Sequence, residues 1–274
     1  MTEEMAISNK HSNGKLDMLW HNGMELIVHE RPLLVSWANA LSEYSWSYAL
    51  MEPIPKKLKA VLQETEDKLS LKKLSEASDG IKKLLSFFSK GEYKIIKFEL
   101  EAKQIGTYQR LANYSIEMSH QIEKEREVDY KEMFNTGVTE ESRVQTILNW
   151  STSGFTSLQS PIIGLENKDQ IDNGLVRKYE AQIKAGNCPY CLIVSITSEN
   201  EDSFRAYCIG TLEKLIAYQN LAWPPRFIEV KKIDNASQKF HEDLLVQLKQ
   251  RLFTWQMKSI LEQYFNDDME LENK

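Results

Sequence analysis

The sequence contains few cysteines and no long run of apolar residues. Three cysteines occur among 274 residues, which is too few for a disulfide-stabilised scaffold and fits a reducing compartment. No stretch approaches the roughly 18 consecutive apolar residues that span a bilayer, and the N-terminal segment carries acidic residues where a secretion signal has a basic start. The sequence therefore predicts a cytoplasmic protein that does not span a membrane.

An excess of positive charge is also missing. The chain carries 34 Lys and Arg against 40 Asp and Glu, which gives a net charge of -6. A protein that binds nucleic acid normally has a basic surface, because each phosphate that it neutralises needs a cation. The charge balance therefore disfavours nucleic acid as the main partner.

The common motifs of nucleotide-binding and hydrolase sites do not occur. The chain has no Gly-x-x-x-x-Gly-Lys, Gly-x-Gly-x-x-Gly, Gly-x-Ser-x-Gly or His-Glu-x-x-His sequence, and its five histidines are scattered. We therefore predict neither a bound metal ion nor a cofactor, and the sequence leans against an enzyme without excluding one.

Aromatic and aliphatic residues are plentiful near the N-terminus. Trp37, Leu41, Tyr44 and Tyr48 recur at steps of four, three and four residues, which places them on one stripe of a helix, while Trp46 lies off that stripe. This spacing predicts an amphipathic helix with aromatic side chains on two faces. Such a helix is either enclosed in the protein or presents one face to a partner.

The pattern changes in the C-terminal part of the chain. A helix with Asp169 as its N-cap and Gly186 at its end is predicted first. A strand, a helix, a strand and a long helix are then predicted at 190–197, 204–221, 226–233 and 236–265. This alternation indicates a βαβ unit with a parallel pair of strands.

Taken together, these patterns predict a helix-rich α+β protein. An N-terminal amphipathic helical region is followed by a small βαβα unit with a long C-terminal helix. The expected divisions are a flexible arm at 1–19, a helical region at 20–152, the βαβα region at 165–266 and an acidic tail at 267–274. Domains contain about 150 residues on average, so a chain of 274 residues is compatible with one large domain or with two small ones.

The string Cys188-Pro189-Tyr190-Cys191 resembles the dithiol motif of glutaredoxins. The resemblance implies that the Cys188 thiolate attacks a disulfide and that Cys191 resolves the mixed disulfide. In that family the motif begins a helix, whereas here it precedes the predicted strand residues 192–196. A dithiol oxidoreductase is therefore one alternative function.

An acidic residue two positions before a lysine on a strand is typical of metal-dependent nucleases. There the carboxylate binds Mg²⁺, and the lysine stabilises the attacking hydroxide or the phosphate. Glu229-Val230-Lys231 has this pattern inside a predicted strand. A nuclease-like enzyme that uses Glu229 and Lys231 is the other alternative.

The main functional prediction is a non-catalytic interaction subunit or adaptor of a cytoplasmic complex. Six Trp, eleven Tyr and ten Phe are present, and Tyr and Trp suit binding surfaces because they bury much area while keeping a polar group. The expected contact residues are Trp37, Tyr44, Trp46 and Tyr48. The partner, which is an unknown protein or a second copy of the chain, is not identified by the sequence.

Overall fold

The computed structural model describes most of the chain outside one long central segment. The described residues are 2–21, 24–38, 46–52, 54–99, 146–150, 160–166, 171–197, 206–221, 223–233, 240–252, 257–258 and 260–261.

Eleven strands and five α-helices are formed by these residues. The strands are β1 (Glu3–Asn9), β2 (Leu16–His21), β3 (Met24–His29), β4 (Arg31–Ala38), β5 (Trp46–Leu50), β6 (Gly91–Glu99), β7 (Thr146–Trp150), β8 (Ser160–Gly164), β9 (Tyr190–Thr197), β10 (Ala206–Cys208) and β11 (Arg226–Ile233). The helices are α1 (Lys56–Ser70), α2 (Ser78–Leu85), α3 (Asn173–Lys184), α4 (Leu212–Leu221) and α5 (Glu242–Arg251).

The strands form a large mixed sheet and a small antiparallel sheet. The large sheet has the order β1-β6-β11-β9-β10-β8-β7, and the small sheet has the order β2-β3-β4-β5. One buried cluster joins strands of both sheets to α1 and α2, a second joins the large sheet to α3 and α4, and a third joins the small sheet to α5. Both sheets therefore contribute to the hydrophobic core.

The prediction of a helical region at 20–152 is wrong, because strands β3 to β7 lie in it, although it also contains helices α1 and α2. Trp37 lies on β4 and is paired with Ser47 on β5. Residues 32–37 are all buried, and a segment that is buried on both faces does not distinguish a strand from a helix by periodicity. The predicted helix-rich fold class is thereby replaced by a sheet-rich one.

Residues 1–19 were expected to form a flexible arm, but β1 pairs with β6 over its whole length. The Asn9 side-chain amide donates to the backbone carbonyls of Leu85 and Ser89, which fixes the end of β1. A Cβ atom on Gly14 would lie 2.3 Å from the backbone carbon of Phe87. Only glycine permits this approach of two chain segments, and the segments meet although they are distant in sequence.

The parallel strand pair predicted near the C-terminus is confirmed. Strands β9 and β11 have the predicted bounds and run parallel in register. Helix α3 ends at Lys184, and Gly186, two residues further on, has a φ of 84°. There the Gly186 and Asn187 N–H groups donate to the Ile183 and Gln182 carbonyls, as in a Schellman motif.

Other details of the C-terminal part differ from the prediction. The N-cap of α3 is Asp172, whose side chain accepts from the N–H groups of Gly174 and Leu175. Asp169 lies outside the described residues. The predicted helix at 204–221 contains strand β10 before α4 begins, and α5 occupies a central part of the predicted helix at 236–265.

In the part of the chain that the structure describes, no helix combines the length and the apolar character needed to cross a membrane. Where the chain divides into domains stays a prediction.

Candidate functional site

Three of the four predicted partner-binding residues lie on the small sheet. Trp37 is 1% exposed and packs in the cluster between this sheet and α5, so it offers no surface to a partner in this structure. Trp46 and Tyr48 are on the edge strand β5, and their side chains are not described. Tyr44 lies outside the described residues. A partner-binding role for these residues stays a prediction.

Glu229 and Lys231 lie on one face of β11, because they are two residues apart on a strand. Glu229 is 8% exposed, and its Oε1 atom accepts a 2.5 Å hydrogen bond from the Ser195 hydroxyl on β9. Within the described ranges, no group of three or more His, Cys, Asp or Glu residues is arranged to hold a metal ion. The nuclease function stays a prediction without further support.

The three cysteines are free thiols in the structure. Cys191 is buried on β9, and burial raises its pKa well above the usual value. Cys188 is half-buried and precedes this strand, so no helix N-terminus begins at the motif to favour a thiolate. Burial also raises the pKa of the Cys208 thiol on β10. The geometry adds no support to dithiol chemistry, which stays a prediction.

The most heavily charged buried site was not predicted from the sequence. It connects α1 with α4 and with the ends of β8 and β9. We define this charged centre by six side chains: Lys59, Glu66, Asp67, Glu166, Glu213 and Lys214.

Glu66 is at the middle of the charged centre. It is 0% exposed. Its Oε1 atom accepts from the Leu192 N–H at 2.6 Å, and its Oε2 atom accepts from Lys214 Nζ at 2.8 Å and from the Thr211 hydroxyl at 3.1 Å. Both carboxylate oxygens are therefore bonded to protein groups, which leaves Glu66 without a reactive oxygen facing solvent.

Gly210 allows the Glu66 carboxylate to approach β9 and α4. A Cβ atom at position 210 would lie 2.6 Å from Glu66 Oε1 and 2.9 Å from Leu192 Cβ. Gly210 comes between β10 and α4, so the turn that brings Thr211 and Lys214 to Glu66 also needs a small residue.

The second half of the charged centre surrounds Lys59. Its Nζ atom lies 2.7 Å from Glu166 Oε1 and 3.6 Å from Glu213 Oε2. Glu213 Oε1 also accepts from the Asp172 N–H at 3.2 Å. Glu166 and Glu213 are 4% and 2% exposed, so Lys59 on α1 connects the end of β8 with the start of α4.

Burial and charge pairing act in opposite directions on these groups. Burial raises the pKa of Glu66 and Glu166 against the opposing effect of Lys214 and Lys59. Burial lowers the pKa of Lys214, but the Glu66 and Asp67 carboxylates outweigh it, and the net pKa is raised. Lys214 therefore stays charged in the folded protein at neutral pH, where it balances Glu66.

The interior of the charged centre is closed to substrates, and Asp67 at its edge is the one member that is more than half exposed. Glu66, Glu213 and Lys214 are at most 2% exposed. Buried groups with perturbed pKa values are often catalytic, but structural ion-pair networks perturb pKa values in the same way. We therefore assign this network to the joining of α1, the large sheet and α4. The sequence signal that could have indicated this network is the pair Gly210-Thr211 in the turn between β10 and α4.

An exposed surface lies at the end of the large sheet where β9 and β11 begin. Tyr190 and Arg226 are register partners on these two strands. Lys97 Nζ lies 4.3 Å from the centre of the Tyr190 ring, and the Arg226 guanidinium lies 5.9 Å from it. These distances are those of cation–π contacts, which orient the ring and the cations together.

Lys97 connects this end of the sheet with the end of α1. Its Nζ atom donates to the backbone carbonyls of Leu69, Ser70 and Lys72 at 3.1, 3.3 and 2.8 Å. A cation at this position satisfies carbonyls that the helix leaves unpaired at its C-terminus. The contact holds the residue after α1, Leu71, beside the start of β9.

Two large apolar side chains are exposed at this end of the sheet. Leu71 is 87% exposed and Trp223 is 49% exposed. The Trp223 N–H donates to the Tyr218 carbonyl at 3.0 Å, and two prolines connect Trp223 with Arg226. We define the strand-end surface by Leu71, Lys72, Tyr190, Trp223 and Arg226.

Comparisons with protein-family models, with curated proteins and with solved structures found no match for this chain.

Proposed function

We propose that this chain is a protein-interaction subunit and that its partner binds at the strand-end surface. The observation that carries the proposal is the position of the exposed apolar side chains. Among the described residues, Leu71, Trp223 and Val246 are the large hydrophobic side chains that are exposed. Two of these three lie at one end of the large sheet.

The strand-end surface has the composition of a binding site. Trp, Tyr and Arg are the residue types most enriched among those that dominate binding energy. Tyr190 and Arg226 are register partners here, and Trp223 precedes Arg226 by three residues. The cation–π contacts orient the Tyr190 and Arg226 side chains before a partner binds, and the backbone hydrogen bond of Trp223 fixes its main chain. A held side chain loses less conformational entropy on binding.

The charges at this surface favour an acidic partner segment. Lys72 and Lys73 are exposed beside Leu71. Arg226 forms an ion pair with Glu99, with 3.0 Å between Arg226 Nε and Glu99 Oε1. We therefore propose a partner protein that presents apolar side chains flanked by Asp or Glu, because such a segment covers Leu71 and Trp223 and pairs with the lysines.

The test is the mass of the complex that purifies with the chain. The wild-type chain and a Leu71→Ser/Trp223→Ala variant are purified gently from the cells that produce the protein, and native mass spectrometry gives their masses. Val246→Ser is the matched control, because Val246 is also exposed but lies on α5. Circular dichroism shows whether each variant is folded.

We expect the wild type and Val246→Ser to carry the same partner at a mass above 31.9 kDa. The Leu71→Ser/Trp223→Ala variant is expected to be folded and to have the mass of the free chain. A wild-type mass of 31.9 kDa, or a partner that stays on the double variant, contradicts the proposal.

A further inference from the structure

A polar cleft lies between the small sheet and α5. Its volume is about 360 Å³, which is within the range of small-molecule sites. It is lined by the β3–β4 turn, by residues that follow β5 and by α5. The polar lining residues are Glu30, Arg31, Glu52, Gln247, Gln250 and Arg251.

Two guanidinium groups meet at one carboxylate in this cleft. Arg251 Nη2 lies 2.6 Å from Glu52 Oε1, and Arg31 Nη1 lies 3.6 Å from the same oxygen. Each guanidinium has five N–H donors. A single carboxylate oxygen accepts from few of them, so most of these donors are available to solvent or to a ligand. The side chains of Arg31 and Arg251 are 66% and 51% exposed, and a ligand can reach them.

The β3–β4 turn that carries Arg31 has an unusual backbone. Glu30 is the residue between the paired positions His29 and Arg31, and its φ is 63°. A non-glycine residue in the left-handed region costs about 1 kcal/mol or more and is often found at binding sites. A contact between the Glu30 carboxylate and Lys15 Nζ fixes the turn.

Three cations, Lys15, Arg31 and Arg251, face two carboxylates, Glu30 and Glu52, in and beside the cleft. Lys15 lowers the pKa of Glu30 and pairs with its carboxylate, so the charge of Glu30 is balanced outside the arginine pair. Glu52 is the carboxylate that pairs with both arginines. The two Gln side chains on α5 add amide N–H donors at the wall of the cleft.

We propose that this two-arginine cleft binds a small organic molecule that carries two or more oxyanion charges, as phosphate or as carboxylate groups. Arg31 and Arg251 bind the oxyanion through paired N–H donors, which match the geometry of both groups. Gln247 and Gln250 orient the rest of the ligand. The site is separate from the strand-end surface and does not depend on the proposed function.

The test is anion binding by the isolated chain. Inorganic pyrophosphate is the phosphate probe and citrate is the carboxylate probe, and each is titrated at constant ionic strength while NMR or intrinsic fluorescence is recorded. Arg31→Gln, Arg251→Gln and the double variant are compared with Lys249→Gln, a control that removes an exposed charge from the same helix without lining the cleft.

We expect saturable binding of at least one probe, and the tighter probe identifies the oxyanion class. Each single variant is expected to weaken binding about tenfold, because charged hydrogen bonds are lost, while Lys249→Gln changes it by less than about twofold. The absence of saturable binding of both probes overturns the proposal. Equal losses in Lys249→Gln and in the arginine variants also overturn it, because they indicate general charge attraction.

Discussion

The charged centre and the two-arginine cleft are both built from side chains of opposite charge, but their surroundings differ. In the charged centre, Glu66 and Lys214 are fully buried, and each oxygen of Glu66 accepts from protein donors. In the cleft, Arg31 and Arg251 are more than half exposed and share one oxygen of Glu52. The interior of the first site is closed to ligands, whereas the arginines of the second site have N–H donors that are exposed to solvent.

This difference separates a structural role from a binding role. Breaking a buried, fully bonded pair leaves a charge without solvent and costs much stability. Removing a charge from an exposed pair costs little stability, because water replaces the partner. Substitutions in the charged centre should therefore change the free energy of unfolding, and substitutions in the cleft should change ligand binding.

The largest effect is expected for Lys214→Met. This variant keeps the length of the side chain but removes the ammonium that pairs with Glu66 and Asp67. We expect a loss of about 3–5 kcal/mol in the free energy of unfolding, measured by urea denaturation. Lys249→Met on the surface of α5 is the control and should change it by less than about 0.5 kcal/mol. Equal losses in the two variants would mean that the buried ion pair contributes no more to the free energy of unfolding than an exposed charge does.

A smaller loss is expected for Gly210→Ala. The added Cβ atom meets Glu66 Oε1 and Leu192 Cβ, and overpacking of this kind costs about 1–3 kcal/mol. Gly186→Ala is the matched comparison, since its φ is positive but nothing lies within 4 Å of an added Cβ atom. It should cost about 1 kcal/mol from backbone strain alone. A harmless Gly210→Ala would contradict the close packing of the charged centre.

Arg251→Gln should have a small effect on stability. The Arg251 side chain is 51% exposed, and exposed ion pairs contribute about 0.2–1 kcal/mol. Thermal and urea unfolding of this variant should therefore be close to those of the wild type. A loss as large as that of Lys214→Met would show that the cleft is a structural element and not an open site.

The smallest effect is expected from moderate changes of pH on the Lys214 contribution. The folded-state pKa of Lys214 is raised above its usual value of 10.5, so the stability that it adds is fully present below that value and is lost as pH rises through the folded pKa. The difference in unfolding free energy between wild type and Lys214→Met should not shrink between about pH 7 and pH 9.5. A difference that already shrinks in this range would mean that Lys214 is not paired as described.

Local patterns predicted the elements whose sequences are unambiguous. Strands β9 and β11 contain runs of β-branched and aromatic residues, and their bounds agree with the prediction. The C-terminal end of α3 followed from Gly186, because glycine is favoured where a helix ends in the left-handed conformation. These signals depend only on residues close together in the chain.

The N-terminal strands depend on partners that local patterns do not reveal. Strand β1 is stabilised by β6, more than 80 residues away, and its polar sequence resembles a loop when it is taken alone. The spacing of Trp37 and Tyr48 matched a helix although the two residues lie on different strands. The candidate sites escaped prediction for the same reason, since Glu66 and Lys214 are far apart in sequence.

The most direct test of the account is hydroxyl-radical footprinting of the chain alone and in its purified complex. We predict that Leu71 and Trp223 are oxidised in the free chain and protected in the complex, while Val246 is oxidised equally in both. This result would mean that the partner covers the strand-end surface. Unchanged oxidation of Leu71 and Trp223 in the complex would contradict the account, because the partner would then bind elsewhere.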